Sequence, residues 1–263
     1  MPSRSAIHHP HTVTFDCWST LIFEAKDTSP RERRSQILAD AVGCTRNDAR
    51  EALRQAWDRH QRLWHRRTVF TGADMARHAL ALLDATLDPA REAGLVQALE
   101  DELLDHDIRV VDGAREALAH LAARGIRRAL ICDTGFASGR VVRQILARAG
   151  ILPWLEVTVF SDETGVPKPH PRAFHAALAG LQSHPQGSVH VGDLRRSDIA
   201  GARLVGMGSI RIRARHDDAD DIAVHNAGVI DCKTAGCNPP CERPEADAVA
   251  DSYEHLLQLL DVA

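Results

Sequence analysis

Val13-Thr14-Phe15-Asp16-Cys17-Trp18-Ser19-Thr20-Leu21 is the stretch from which the fold can be read. Val13-Thr14-Phe15 is a short apolar, β-branched run that stops abruptly at Asp16, the pattern of a buried strand ending on a polar group. Working outward, the chain from 24 to 107 reads as helical throughout. Ser29-Pro30-Arg31-Glu32 is a capping box with proline at the first helical position, and Gly43 sits where that helix should stop. Thr45 to Asp48 opens a long helix to about Arg67, Thr71 to Asp74 a third, and Asp88-Pro89 a fourth that ends near Asp105.

From Ile108 the rhythm becomes an alternation of helix and strand. Strands are predicted at 127–132, 157–161, 188–191 and 209–213, with helices at 113–124, 138–150, 171–181 and 198–205 between them. Strands separated by helical segments imply βαβ units, so the expected fold is α/β, a parallel sheet covered on both faces. Residues 214–247 break the pattern with an acidic run at 216–221 and with Pro239, Pro240 and Pro244. Ser252 to Leu260 reads as a closing helix.

The composition narrows the classes. The chain has 263 residues, enough to bury a sizeable core, with 44% apolar and 26% charged residues, which excludes a disordered chain. It contains no apolar run of the roughly 18–20 residues that a membrane span needs. Met1 to His11 holds three histidines (His8, His9, His11) but no apolar signal core, so a polar leader and a cytoplasmic location are expected. A formal charge of −4 gives no general reason to expect nucleic acid. Only three of the 32 basic residues are lysines (Lys26, Lys168, Lys233), a skew typical of GC-rich coding.

In an open parallel sheet, ligands bind beyond the carboxyl ends of the strands, so the residues that follow each strand carry the chemistry. Here they are Asp16, Ser19 and Thr20; Cys132, Asp133 and Thr134; Ser161 to Lys168; and Gly192, Asp193 and Asp198. Acids and one lysine at successive strand ends suit a divalent cation and an anion.

Three segments then resemble one family. Phe15-Asp16-Cys17-Trp18-Ser19-Thr20-Leu21 looks like the first motif of the haloacid dehalogenase-like (HAD) hydrolases. Gly165-Val166-Pro167-Lys168-Pro169-His170-Pro171 looks like their lysine motif, and the run from Gly192 to Ala202 like their acidic motif. The order and spacing match over about residues 12–213. The resemblance implies a Rossmann-like core (1–23 and 108–263) with an α-helical cap inserted at 24–107, and the irregular 214–247 as an insertion within the core. It implies that Asp16 is a nucleophile forming an aspartyl intermediate and that Lys168 stabilises charge. Mg²⁺ would be held by Asp16, Asp193 and the backbone carbonyl of Trp18, with Asp198 supporting it. Thr20 is expected to hydrogen-bond the nucleophile. The substrate would be a phosphorylated small molecule, its phosphate met by Thr20, Thr134, Asp133 and Trp18.

The pattern is broken in two places. Family phosphatases generally carry a second aspartate two residues after the nucleophile, as general acid and base; here that residue is Trp18, whose indole N–H only donates. Haloacid dehalogenases usually have an aromatic there, and phosphonoacetaldehyde hydrolases and P-type ATPases also lack the acid. Asp193 argues for metal and phosphoryl chemistry, since dehalogenases typically carry Asn at its position. Lys26, at the very start of the helical segment, is a poor Schiff-base candidate. The alternatives are therefore a non-phosphoryl hydrolase or a non-catalytic binding protein of this fold. In the second motif, Cys132 stands where Ser or Thr is usual, leaving Thr134 or the backbone N–H groups of the Asp133–Gly135 turn for the anion.

Two further features stand apart. Between 30 and 70 there are ten arginines against five acids, read mainly as a solvated helix face with Trp57 and Trp64 turned inward. Cys232, Cys237 and Cys241 could hold Zn²⁺ with His216, His225 or Asp231, or be free thiols in an exposed loop.

Overall fold

The structure, a computed structural model, describes residues 7–25, 30–215 and 245–262. The acidic run and the Cys232/Cys237/Cys241 cluster, with its candidate Zn²⁺ ligands, lie outside the described residues, as does Lys26.

Strand β1 (Thr12–Phe15) is followed by the short β2 (Ile22–Glu24), and four helices come next: α1 (Pro30–Val42), α2 (Arg46–His65), α3 (Gly72–Leu82) and α4 (Pro89–Asp101). The chain then returns through β3 (Ile108–Val110), which pairs antiparallel with β2. This two-stranded stem joins the helices to the rest of the chain, and strands of three residues are too short to show any periodicity. The remaining elements alternate: α5 (Ala114–Ala123), β4 (Arg127–Cys132), α6 (Gly139–Arg148), β5 (Val157–Phe160), α7 (Ser161–Thr164), α8 (Pro171–Gly180), β6 (Ser188–Gly192), α9 (Ala200–Val205), β7 (Gly208–Ile212), β8 (Ala248–Ala250) and α10 (Tyr253–Leu259).

Six strands form one parallel sheet in the order β5-β4-β1-β6-β7-β8. The fold is thus the expected α/β, Rossmann-like one. The side-chain alternation of β4 displays both covered faces: Leu130 and Cys132 pack with α5, α6 and α10, whereas Ala129 and Ile131 pack with Phe174 and Leu178 of α8. β8 was not anticipated, because Ala248-Val249-Ala250 is short and follows a proline-rich run.

The helices α1–α4 bury a separate apolar cluster that includes Leu38, Leu53, Met75, Leu80 and Leu99. The caps of α3 and α4 are those read from the sequence: Thr71 and Asp74 make a reciprocal capping box, and Asp88 Oδ1 accepts from the N–H groups of Ala90 and Arg91 at 3.0 Å, while Ser29 of the expected α1 cap lies outside the described residues. Phe136, from the loop after β4, joins this cluster. Gly72, at the start of α3, leaves no room for a Cβ, which would lie 2.4 Å from the Phe136 carbonyl oxygen. Among the described residues, no helix is long and apolar enough to cross a membrane.

Candidate active site

β1, β4 and β6 lie side by side, so their carboxyl ends bring Asp16, Asp133 and Asp193 to one edge of the sheet. The loop after Asp16 is tight. The N–H of Ser19 donates to the Ile22 carbonyl at 2.7 Å, that of Leu21 to the Cys17 carbonyl at 2.8 Å, and Ser19 takes a left-handed φ of 62°. Lys168, 2% exposed, reaches into this edge from the loop between α7 and α8. Its ammonium donates to Asp16 Oδ1 and, at 2.7 Å, to Asp198 Oδ1, while its backbone N–H donates to Asp133 Oδ1 at 2.9 Å.

Asp198 sits on a π-helical turn, Arg195–Ile199, of the kind often found at functional sites. Its Oδ2 accepts the N–H of Leu194 at 2.9 Å. Gly192 is needed opposite, because a Cβ there would lie 2.4 Å from the Asp198 carboxyl carbon. Behind Asp198 stands His190, whose Nε2 lies 3.3 Å from Oδ1 and whose Nδ1 lies 2.8 Å from Thr14 Oγ1. Burial lowers the pKa of His190 against the pull of Asp198. A neutral ring therefore donates from Nε2 to Asp198 and accepts the Thr14 hydroxyl at Nδ1.

The charges are unevenly matched. Burial works against the Lys168 ammonium, but Asp16, Asp198 and Asp133 outweigh it, and its pKa is raised. Burial also pushes Asp16 well up, with Asp198 and Asp193 adding to the shift and Lys168 opposing it. For Asp198 the balance reverses: burial would raise it, but Lys168 and His190 hold it low. Asp16, Asp193 and Asp198 offer carboxylate oxygens within 4.8 Å of one another. Hard oxygen donors in surplus negative charge fit Mg²⁺, which would relieve the raised pKa of Asp16. Asp198 accepts from Lys168 at Oδ1 and from the Leu194 N–H at Oδ2, so both of its oxygens are already engaged.

Other expected residues fall differently. Thr20 is fully buried and its hydroxyl has no hydrogen-bond partner; only its carbonyl is engaged, by the Tyr253 hydroxyl at 2.7 Å. The expected hydrogen bond from Thr20 to Asp16 is therefore not made. Thr134 lines the cavity described next, with its N–H 2.9 Å and its hydroxyl 3.1 Å from Ser161 Oγ. Cys132 is buried, and the neighbouring Cys17 thiol, followed by burial, pushes its pKa well up, so it is a packed strand-end thiol. Asp133 accepts from Trp64 Nε1 at 2.8 Å as well as from the Lys168 backbone N–H.

Between the strand ends and the helices lies a cavity of about 430 Å³, within the range of small-molecule sites. Trp18 lines it from the core side, and Arg34, Trp57, His60 and Trp64 from α1 and α2. The two α2 tryptophans do turn inward, toward the cavity, while Arg54, Arg59, Arg62 and Arg66 stay exposed. Arg196, buried, lies over the Trp64 ring at 3.5 Å. The sequence reading missed His190, Trp64 as a partner of Asp133, and Arg196. Only His190 left a signal: a histidine inside an apolar strand, in register with Thr14 on β1.

Known proteins resemble this chain in sequence and in fold. A family model described as haloacid dehalogenase-like hydrolase matches residues 10–206. Haloacid dehalogenase-like hydrolase domain-containing protein 3 of Xenopus laevis is 30% identical over 174 residues, 62% of this chain and 68% of that protein. The glyceraldehyde 3-phosphate phosphatase of Pyrococcus furiosus is 33% identical over 135 residues, 51% of this chain and 54% of that protein. Among solved structures, a 2-haloacid dehalogenase from Pseudomonas syringae has a TM-score of 0.61 at 21% identity, covering 95% of this chain and 97% of its own. A HAD phosphatase from Thermococcus onnurineus has a TM-score of 0.59 at 19% identity with the same coverage.

Proposed function

The chain belongs to the haloacid dehalogenase-like hydrolases, and on that premise we propose that it is a Mg²⁺-dependent phosphatase acting on a small phosphorylated molecule in the cytoplasm. The observation that carries this reading is the Asp16 carboxylate held by Lys168 beside Asp193 at the end of β1. In this reading α1–α4 form a cap domain over the core, with boundaries near 24 and 107.

Asp16 is the nucleophile: one oxygen is fixed by Lys168, leaving the other for phosphorus. Lys168 keeps its proton and neutralises the phosphoryl oxygens as charge develops. Asp16, Asp193 and the Trp18 carbonyl would hold Mg²⁺, with Asp198 in support, and the ion would supply further positive charge to those oxygens. Asp133 holds the Lys168 backbone, and His190 steers Asp198. Thr134 and the turn after it line the cavity and would meet the phosphate.

One observation favours a second reading. Trp18, an aromatic residue at the position of the usual acid, suits displacement of a halide, a leaving group that needs no proton. Wild type and Asp16→Asn, assayed on phosphate esters with and without Mg²⁺ and on haloacids, separate the two. We expect phosphate release that requires Mg²⁺ and is abolished by the substitution. Metal-independent halide release would overturn the phosphatase reading, and binding without turnover would identify a non-catalytic relative.

A further inference from the structure

Resting on the phosphatase reading, we infer that the substrate is a phosphomonoester of an aromatic alcohol, an aryl phosphate, in preference to an alkyl phosphate. The first support is the proton inventory of the cavity. Trp18 can donate no proton to a leaving oxygen at neutral pH. Asp133 accepts a hydrogen bond at each oxygen, from Lys168 and from Trp64. Glu24 faces His106 at 2.6 Å, back in the stem. His60 must carry its proton on Nδ1 to bond the Phe70 carbonyl at 2.7 Å, and burial keeps the ring neutral. These groups thus leave the departing oxygen to manage its own charge. A phenol-type oxygen, with a pKa of about 10, can do so, whereas an alkoxide, whose conjugate acid is about as weak as water, cannot.

The second support is the aromatic lining of the cavity, with Trp18 on the core side and Trp57, Trp64 and Phe136 across from it. Its cations are already compensated: Arg34 lies 3.1 Å from Glu102 and over the Phe136 ring, and Arg196 covers Trp64. Such a wall accepts a flat, uncharged body better than a second anionic group.

The chemistry balances without an added acid. Asp16 bonds to phosphorus, the bond from phosphorus to the aryl oxygen breaks, and the pair leaves on an arenolate that solvent protonates. Water then bonds to phosphorus, the Asp16–phosphorus linkage breaks, and both water protons end on inorganic phosphate.

The test is a leaving-group series on the wild-type protein with Mg²⁺: para-nitrophenyl, phenyl, ethyl and glycerol phosphates. Because general acid catalysis is worth about 10²–10⁴-fold, kcat/KM for the aryl esters should exceed that for the alkyl esters by a factor of that order. Trp18→Asp, which restores an acid, should narrow the ratio by raising alkyl turnover. The same series in His65→Gln examines the remaining histidine of the cavity. A ratio near one in wild type, or one that grows when His65 is removed, overturns the inference and leaves the phosphatase reading standing. No hydrolysis of any ester, aryl or alkyl, would instead be a failure of the phosphatase reading itself.

Discussion

The two walls of the cavity are built on opposite principles. The core wall is ionic and almost wholly buried: Asp16 and Asp193 follow β1 and β6, while Lys168 comes in from the loop before α8 and Asp198 from the π-helical turn, and Lys168 joins Asp16 to Asp198. The helical wall is aromatic and held by packing, with Trp57 stacked on Phe136 at 5.9 Å and on His60 at 5.0 Å. Strand ends fix direction, so a charge placed there needs little reorganisation, which is what transition-state stabilisation requires. Helix faces offer area and shape, which suits selection of the body of a substrate. Trp64 is where the walls meet, donating to Asp133 while Arg196 covers its ring.

The comparison breaks most sharply at Lys168. Lys168→Met should lower kcat by about 10²–10³-fold, the usual loss when one charge-stabilising donor is removed. It should also destabilise the protein by about 3–5 kcal/mol, since Asp16 and Asp198 lose their shared partner in a buried setting. Because Lys168 lowers the pKa of Asp16, its loss should move the acid limb of the pH–rate profile upward. A variant with unchanged melting temperature and an unmoved acid limb would mean that the ionic wall is not the cooperative unit described here.

A smaller effect is expected at the seam. Trp64→Phe keeps a ring under Arg196 but removes the N–H that bonds Asp133. A hydrogen bond to a charged group is worth about 1.5–3 kcal/mol, so kcat/KM should fall by about tenfold or more. Wild-type kinetics in the variant would reduce the contact to packing.

The walls also differ in how far the sequence revealed them. The core wall was largely legible, because an apolar run stopping at a polar residue marks a strand end, and the order of strand ends places Asp16, Lys168, Asp193 and Asp198 together. Side-chain pairing was not legible there: Thr20 sits in the right motif, yet its hydroxyl makes no hydrogen bond to Asp16. On the helical wall the periodicity of α2 gave the inward side of Trp57 and Trp64 but not what they meet. The Trp64–Asp133 bond joins residues 69 apart in sequence, and no local pattern encodes it. The β2–β3 stem escaped for a different reason, since its strands of three residues carry less signal than the caps beside them.

The smallest expected effect concerns a histidine in the helical wall. His60 is 6% exposed, its Nδ1 bonds the Phe70 carbonyl, and burial lowers its pKa below the usual value, with that bond opposing the shift only in part. In the unfolded chain the same ring titrates near 6.5. As pH falls below that value, the unfolded state takes up a proton that the folded state resists, so the contribution of His60 to stability is complete above about pH 6.5 and declines toward its lower folded pKa. His60→Asn keeps a donor near Nδ1 and cannot titrate. Melting temperatures followed from pH 7.5 to 5 should therefore fall less steeply in the variant than in wild type. His190 has the same sign on the core wall, but Asp198 opposes its shift, so the difference between the two slopes reports on the helical wall. Parallel slopes in wild type and His60→Asn would mean that α2 opens far enough for His60 to be protonated in the folded protein, and that the aromatic wall is the looser of the two.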